Sequence, residues 1–275
     1  MIVDCFTYFN EKELLELRVR TLENHVDGFL ITDANRTHRG DKKAFSCVET
    51  IRELGLPEEK IQVLHVELPS ATEAPDPWIR ERGQRDALSI GLSMLDDDDY
   101  FICSDCDEIT NPSAIEAIKR SVDMEENKII RMSMSMHYGR ADRQLVSPEG
   151  ELFDWRCGVA STVGKLKEFG TLSAMRASTD NYYVGVRNAG WHFSWMGDAD
   201  RRKPKLRNIA EYYIWDKPEV QQLCDDFVAE PGNTDMLGRQ DHLLTEYPVE
   251  DLPEEVVKLE RVRKYLLPDD EQDAA

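Results

Sequence analysis

The sequence predicts an α/β fold built on a mainly parallel sheet that is covered by helices. Its N-terminal half alternates strand-like and helix-like segments, which is the pattern that successive βαβ units produce. A chain of 275 residues is long enough for one large domain with a sizeable core. Apolar residues make up 41% of the chain and charged residues 32%, which indicates a globular protein and excludes a disordered one.

The elements of the N-terminal half follow one another closely. A strand over 2–9 precedes a helix for which Asn10 is the predicted N-cap, with Glu13 three residues later as in a capping box. Apolar residues then recur at helical spacing. The remaining segments are a strand over 27–33, a helix over 45–54, a strand over 61–68, a helix over 78–95, a strand over 100–103 and a helix beginning at Asn111-Pro112.

The pattern changes after a predicted strand over 129–136. Strand-like pieces over 152–163 and 182–195 are joined by polar loops, and amphipathic segments over 206–215 and 220–228 follow. Neither an internal repeat nor a linker separates this half from the first. We therefore predict one domain in two parts, 1–136 and 137–267, followed by a frayed tail over 268–275.

The charge of the chain bears on its partners and its location. With 34 Lys and Arg against 54 Asp and Glu, the formal net charge is −20, which repels nucleic acids and anionic lipid surfaces. No stretch reaches the ~18 consecutive apolar residues of a membrane span, and the first residues lack a signal-peptide pattern. We expect a cytoplasmic protein without a membrane span; the sequence does not indicate its oligomeric state.

An acidic motif follows the predicted strand over 100–103. In extended backbone Asp105 and Asp107 point to the same side, because side chains repeat every two residues. Ligands of open α/β sheets bind at the carboxyl ends of strands, and two carboxylates there suit Mg²⁺ or Mn²⁺. The motif therefore predicts a metal and diphosphate site. The structural alternative is a solvated acidic turn that caps the next helix.

Five segments in this order resemble glycosyltransferase family 17, whose best-known members add the bisecting GlcNAc of N-glycans. The resemblance runs from Asp4 to about Tyr265. The segments are Asp4-Cys5-Phe6-Thr7-Tyr8-Phe9-Asn10-Glu11, Asn35-Arg36-Thr37-His38-Arg39-Gly40 with Lys42 and Lys43, Gln84-Arg85, Ser104-Asp105-Cys106-Asp107-Glu108-Ile109 and Ala189-Gly190-Trp191-His192-Phe193-Ser194-Trp195.

The resemblance implies a GT-A-like mixed sheet flanked by helices, with a C-terminal extension on the acceptor side. Residues 1–136 would form the half that binds the nucleotide sugar, and residues 137–267 the acceptor-side half. It also implies an inverting, metal-dependent enzyme that uses an Asp-x-Asp motif to hold Mn²⁺ or Mg²⁺ against a UDP-sugar. The expected donor is UDP-GlcNAc, and the acceptor is a glycan or another hydroxyl compound.

Three further site residues are expected on the same grounds. A late histidine often completes the metal shell in GT-A enzymes, and His192 lies in a family-like motif, so it joins Asp105 and Asp107 as a predicted metal ligand. His38 and His137 remain alternatives. Within the basic cluster, which runs from 201 to 207, Lys205 is the predicted diphosphate ligand together with Asp105. Arg85 is predicted to bind the nucleotide, or else to be a surface arginine on an amphipathic helix.

An inverting transfer also needs a carboxylate base that takes the proton of the acceptor hydroxyl. The candidates are Asp154, Glu168 and Asp198, and Asp154 is preferred because it adjoins an aromatic residue that could support the acceptor. Two other functions fit the same features. One is a metal-dependent nucleotidyltransferase, which would normally bring a Gly-rich loop that is not seen here after the first strand; the other is a catalytically silent sugar-nucleotide-binding protein.

Overall fold

The computed structural model describes residues 1–124, 129–178 and 183–267. The described part contains a mixed sheet and eleven α-helices. The strands are β1 (Ile2–Tyr8), β2 (Gly28–Ala34), β3 (Ile61–Val66), β4 (Tyr100–Asp105), β5 (Glu108–Thr110), β6 (Ile129–Tyr138), β7 (Arg140–Val146), β8 (Asp154–Trp155), β9 (Val159–Thr162), β10 (Tyr183–Ser194) and β11 (Leu243–Glu246). The helices are α1 (Lys12–Leu22), α2 (Cys47–Glu53), α3 (Pro77–Leu92), α4 (Ile115–Met124), α5 (Val163–Phe169), α6 (Leu172–Arg176), α7 (Ala199–Asn208), α8 (Tyr212–Trp215), α9 (Pro218–Asp226), α10 (Glu254–Lys258) and α11 (Glu260–Leu266).

The sheet has a parallel block and an antiparallel continuation. Its main path is β11-β7-β6-β9-β4-β1-β2-β3, in which β4, β1, β2 and β3 are parallel neighbours. Strand β9 is antiparallel to both β4 and β6, and β7 and β11 continue antiparallel. Off this path, β10 pairs with β5 and β6. The predicted α/β class is confirmed, and the sheet is mixed and flanked by helices, as the resemblance implies.

Helices bury both faces of the parallel block. Alternate side chains of β1 enter different clusters: Cys5 packs with Leu88 of α3, whereas Phe6 packs with Leu15 of α1. All four side chains are fully buried. Because burying a large apolar side chain contributes roughly 1.5–3 kcal/mol, the central strand is held firmly from both sides. The residues at the carboxyl end of β1 are therefore held in a fixed position.

Helix starts agree with the sequence in one place and differ in another. The side chain of Asn111 accepts a hydrogen bond from the N–H of Ser113, as predicted for a cap. The cap predicted at Asn10 is wrong, because the N-cap residue of α1 is Glu11. The Glu11 carboxylate accepts the N–H groups of Phe9 and Asn10 instead, which stabilises the turn between β1 and α1.

Several elements were not predicted, among them β5 in the first half and β7, β11, α6 and the last two helices in the second half. Strand β7 lacks the alternation of apolar and polar residues that predicts a half-buried strand. Its charged residues Asp142 and Arg143 are both buried and form an ion pair with each other. The predicted strand over 182–195 is β10, although residue 182 lies outside the described residues, as does the predicted tail over 268–275.

Strand β6 continues through residue 136, so the predicted halves 1–136 and 137–267 share one sheet. The assignment of donor and acceptor roles to these halves stays a prediction. In the described part of the chain, no helix combines the length and the apolar character needed to cross a membrane.

Candidate active site

A pocket of about 520 Å³ opens at the carboxyl edge of the parallel block. Because β1 and β4 are parallel neighbours, their ends bring Thr7 and Tyr8 next to Asp105. Helix α3 contributes one wall, and the segment 208–211 between α7 and α8 contributes another. This is the edge at which open α/β sheets bind ligands.

The acidic motif forms a tight turn at this edge. Asp105 is the last residue of β4, the chain turns at Cys106 and Asp107, and β5 begins at Glu108. The expectation of extended backbone through Asp107 is therefore wrong. The Glu108 carboxylate accepts the N–H of Asp105 at 3.0 Å, a bond across the turn that extended backbone would not allow.

A buried arginine from α1 holds this turn from below. Nη1 of Arg18 donates to the carbonyl oxygens of Asp105 at 2.6 Å and Glu108 at 3.0 Å, on either side of the turn. Its Nε and Nη2 donate to the two carboxylate oxygens of Asp4, each at 2.7 Å. Both charged side chains are completely buried, so the ion pair is bidentate and shielded from water. Arg18 thereby positions the acidic motif, although nothing in the sequence distinguishes it from other arginines.

Two arginines engage the carboxylate of Asp105. Arg176 of α6 donates from Nη1 to Oδ1 and from Nη2 to Oδ2, both at 3.1 Å, and Arg85 of α3 donates from Nη2 to Oδ1 at 3.1 Å. Burial alone would raise the pKa of Asp105, but the charges of Arg176 and Arg85 outweigh it and hold the pKa well below its usual range. Asp105 is therefore ionised, and the guanidinium groups of Arg176 and Arg85 contact its carboxylate oxygens.

The carboxylate of Asp107 faces a different cation. Nζ of Lys205 lies 2.8 Å from Oδ2, and Nε2 of His192 lies 3.7 Å from Oδ1. Burial opposes ionisation of Asp107, but Lys205 and His192 outweigh it and hold the pKa of this carboxyl well below its usual range. Lys205, Asp107 and Asp105 all line the pocket.

The rest of the basic cluster contributes less to the pocket than Lys205 does. Arg201 pairs with Glu13 of α1, and Lys203 pairs with Asp225 of α9. None of these four residues lines the pocket. Lys205 differs because its place in α7 directs it toward the turn that holds Asp107.

His192 lies in β10 directly opposite Glu108 of β5, which explains its proximity to the acidic turn. Its ring is buried against Trp155, with ring centroids 4.5 Å apart. The Nδ1 atom has no hydrogen-bond partner within the described ranges. No protein group there fixes the tautomer of His192 through Nδ1, so the ring has no imposed tautomer. His192 itself does not line the pocket.

Of the three predicted metal ligands, Asp107 and His192 lie close together, whereas Asp105 is engaged by arginines. The distance of 3.7 Å between Asp107 Oδ1 and His192 Nε2 is too long for a hydrogen bond but suits two ligands of one ion, which stand about 3 to 4 Å apart. These two residues fit a divalent cation that keeps several waters. Asp105 differs because Arg85 and Arg176 occupy its oxygens. Across the described ranges, no three His, Cys, Asp or Glu side chains form a ready-made metal cluster.

The three candidate bases lie elsewhere. The Asp154 carboxylate contacts Ser133 and Arg156, Glu168 pairs with Lys165, and Asp198 caps α7. None of the three lines the pocket. Strand β8 pairs with β6, and within it Trp155 reaches the pocket while Asp154 does not.

Sequence reasoning missed several charged residues of the pocket, among them Arg176 and Glu211. Arg176 ends a helix of only five residues, too short for a periodic signal, and Glu211 lies in the connection before α8. Both reach the site through tertiary packing. Of the two alternative metal ligands, His38 lines the pocket and contacts the side chain of Gln84 at 3.2 Å, whereas His137 lies outside the lining, with Nδ1 2.6 Å from the carbonyl oxygen of Ala141.

The chain matches the sequence model of Glycosyltransferase family 17 over residues 1–197. Among curated protein sequences, none matches.

Solved structures show limited similarity. S. aureus TarS 1-349 in complex with UDP-GlcNAc has 9% identity and a TM-score of 0.44, covering 81% of this chain and 70% of that one. A 4-diphosphocytidyl-2C-methyl-D-erythritol synthase has 12% identity and a TM-score of 0.42, covering 69% and 88%. Mannose-6-phosphate isomerase from Helicobacter pylori has 17% identity and a TM-score of 0.38, covering 62% and 75%.

The family match spans well over half of the chain and includes the acidic motif, the parallel block of the sheet and His192. The protein is therefore an enzyme of the glycosyltransferase class. More particularly, it belongs to glycosyltransferase family 17.

Proposed function

We propose that this glycosyltransferase moves GlcNAc from UDP-GlcNAc to a hydroxyl group of a glycan or a related acceptor, with inversion and with the help of Mn²⁺ or Mg²⁺. The observation that carries the proposal is the grouping of two carboxylates with Arg85, Arg176 and Lys205 in one pocket at the carboxyl edge of the sheet. The choice of GlcNAc rests on the best-known members of the family.

The cationic side chains of the pocket, above all Arg176 and Lys205, are the proposed binding site of the diphosphate. Arg176 presents a planar fork of donors, which matches a phosphate as well as a carboxylate. Lys205 presents a point charge from the other side of the acidic turn. When the donor binds, its phosphate oxygens compete with Asp105 and Asp107 for these cations, and the cations then neutralise the charge that develops on departing UDP.

Asp107 and His192 are the proposed protein ligands of the divalent cation, and Asp105 joins them once the arginines turn to the diphosphate. Such a cation would neutralise negative charge on the diphosphate of the leaving group. Arg18 keeps the turn in place through the carbonyl oxygens of Asp105 and Glu108 while these partners exchange. The cytoplasmic location expected from the sequence stays a prediction.

Thermal shift and turnover test the donor. At about 100 times its dissociation constant, a ligand stabilises the fold by roughly 2.7 kcal/mol. We expect UDP-GlcNAc with Mn²⁺ to raise the melting temperature more than UDP-glucose, UDP-galactose or GDP-mannose, and to be consumed with release of UDP. Stabilisation by GDP-mannose alone would overturn the donor assignment.

The same assay separates the two alternative functions. A nucleotidyltransferase would consume a nucleoside triphosphate and release pyrophosphate, because it attacks phosphorus rather than carbon. A silent binding protein would be stabilised by UDP-GlcNAc but would never release UDP, whatever the acceptor.

A further inference from the structure

The pocket contains more carboxylates than donor binding requires. An inverting transfer also needs a carboxylate that can accept a proton from the acceptor hydroxyl. Such a base must face the pocket and must have a lone pair that no protein donor occupies. Within the described residues, the carboxylates that line the pocket are Glu11, Glu81, Asp105, Asp107 and Glu211.

Donors from other residues engage four of these five side chains. Glu11 accepts the backbone N–H groups of Phe9 at 2.9 Å and Asn10 at 3.1 Å, and Glu81 forms an ion pair with Arg85. Asp105 and Asp107 are held by the arginines and by Lys205, as described above. These four carboxylates therefore have structural or donor-binding partners.

Glu211 differs from the other four. Its own backbone N–H contacts the carboxylate, but no other residue within the described ranges donates a hydrogen bond to it or forms an ion pair with it. It does not cap α8 although it stands at the N-cap position. The residue is half-buried and belongs to the pocket wall over 208–211, six residues after Lys205. A carboxylate that is partly removed from water, lines a pocket and has no partner from another residue is a poor structural element but a suitable proton acceptor.

We propose that Glu211 is the catalytic base of the transfer, an assignment that rests on the proposed function. The carboxylate accepts the proton of the acceptor hydroxyl while the hydroxyl oxygen forms its bond to the anomeric carbon. The bond between that carbon and the diphosphate oxygen breaks at the same time, and its electron pair leaves with UDP. Glu211 then returns its proton to water after the product departs.

The electrostatic surroundings of Glu211 agree with this role. Burial raises its pKa, although the hydrogen bond from its own backbone N–H opposes the rise, and the negative charges of Glu81 on α3 and Asp105 on β4 add to it. A carboxylate with a raised pKa is a stronger base than an ordinary glutamate. Asp154 lacks this setting because Ser133 and Arg156 occupy its oxygens and it lies outside the pocket lining.

The test compares Glu211→Gln with wild-type protein in UDP release from UDP-GlcNAc, using water and a panel of sugar acceptors with Mn²⁺ present. General-base catalysis is typically worth about 10²- to 10⁴-fold, so we expect kcat to fall by that factor. The Kd for UDP, measured by calorimetry, should change by less than about threefold, because an isosteric amide leaves the diphosphate binding site intact. Glu211→Asp should recover part of kcat.

Matched variants make the result specific. Glu219→Gln changes an exposed glutamate on α9 and should leave kcat unchanged, and Asp154→Asn should do the same. Turnover by Glu211→Gln within threefold of wild type, or a large loss confined to Asp154→Asn, would overturn this assignment while leaving the proposed function intact. Binding of UDP without turnover of any nucleotide sugar by wild-type protein would overturn the proposed function and the assignment together.

Discussion

Arg176 meets the carboxylate of Asp105 with both of its terminal nitrogens, each 3.1 Å from a different oxygen. The contact joins the short helix α6 to the end of β4, across 71 positions of sequence. An arginine with this geometry can exchange a carboxylate for a phosphate without losing either hydrogen bond. Arg176 is thus well placed to exchange the carboxylate of Asp105 for a bound diphosphate.

Replacing this arginine should weaken donor binding. Arg176→Lys keeps the charge but removes the planar fork, and hydrogen bonds to charged groups are worth about 1.5–3 kcal/mol, so we expect UDP to bind about 10- to 100-fold more weakly. Calorimetry with UDP and Mn²⁺ measures the change. Arg207→Lys is the control, because Arg207 is exposed and only approaches Asp216 at 4.0 Å. Equal Kd values for Arg176→Lys and wild type would refute the role of Arg176.

His192 is expected to control the response to Mn²⁺. If its Nε2 joins Asp107 Oδ1 in holding the cation, His192→Ala should lose most activity at low Mn²⁺ and recover part of it at high Mn²⁺. A manganese titration of UDP-GlcNAc turnover shows the shift. His137→Ala removes another buried histidine, one that forms no ion pair with Asp107, and it should leave the half-saturating concentration unchanged. A lower melting temperature with an unchanged manganese response would make His192 a packing residue.

The buried ion pair of Arg18 and Asp4, below the acidic turn, should contribute strongly to the free energy of unfolding. Asp4→Asn leaves the charge of Arg18 buried without its counterion, and breaking such a pair typically costs about 3–5 kcal/mol of unfolding free energy. Urea denaturation provides the measurement. Glu116→Gln, which removes an exposed ion pair with Lys119, should cost less than about 1 kcal/mol. A loss of similar size in both variants would contradict the clamp that we assign to Arg18.

His137 should make stability depend on pH. Burial lowers its pKa to about 4 in the folded protein, whereas an unfolded chain gives about 6.5. Between these values the unfolded state binds more protons, so the stability that a neutral His137 provides is complete above pH ~6.5 and is lost as the pH falls toward 4. His137→Phe should flatten the slope of unfolding free energy between pH 6.5 and 5. A variant with the wild-type slope would exclude His137 as its source.

The sequence predicted the parallel block well because β1, β2, β3 and β4 are apolar runs separated by helices with regular spacing. It also led to Asp105, Asp107, Arg85 and Lys205, all of which the structure brings into one pocket. In each of these cases a local pattern or a family-like segment carried the signal.

The features that the sequence did not predict depend on tertiary packing. Arg176 and Glu211 enter the pocket from a five-residue helix and from a connection between helices, where neither periodicity nor motif indicates a function. Asp154 adjoins an aromatic residue, as the sequence suggested, but strand pairing directs only Trp155 into the pocket. Extended backbone through Asp107 was a reasonable local expectation, yet Arg18 stabilises a turn there by binding carbonyl oxygens on both sides.

Following UDP-GlcNAc by proton NMR, with Mn²⁺ and a panel of sugar acceptors, tests the central claim most directly. In UDP-GlcNAc the sugar is α-linked, so an inverting glycosyltransferase should release UDP and form a β-linked product. Asp107→Asn, which weakens the proposed hold on the metal and the diphosphate, should reduce the rate at least tenfold. An α-linked product, or release of GlcNAc 1-phosphate in place of UDP, would contradict the account.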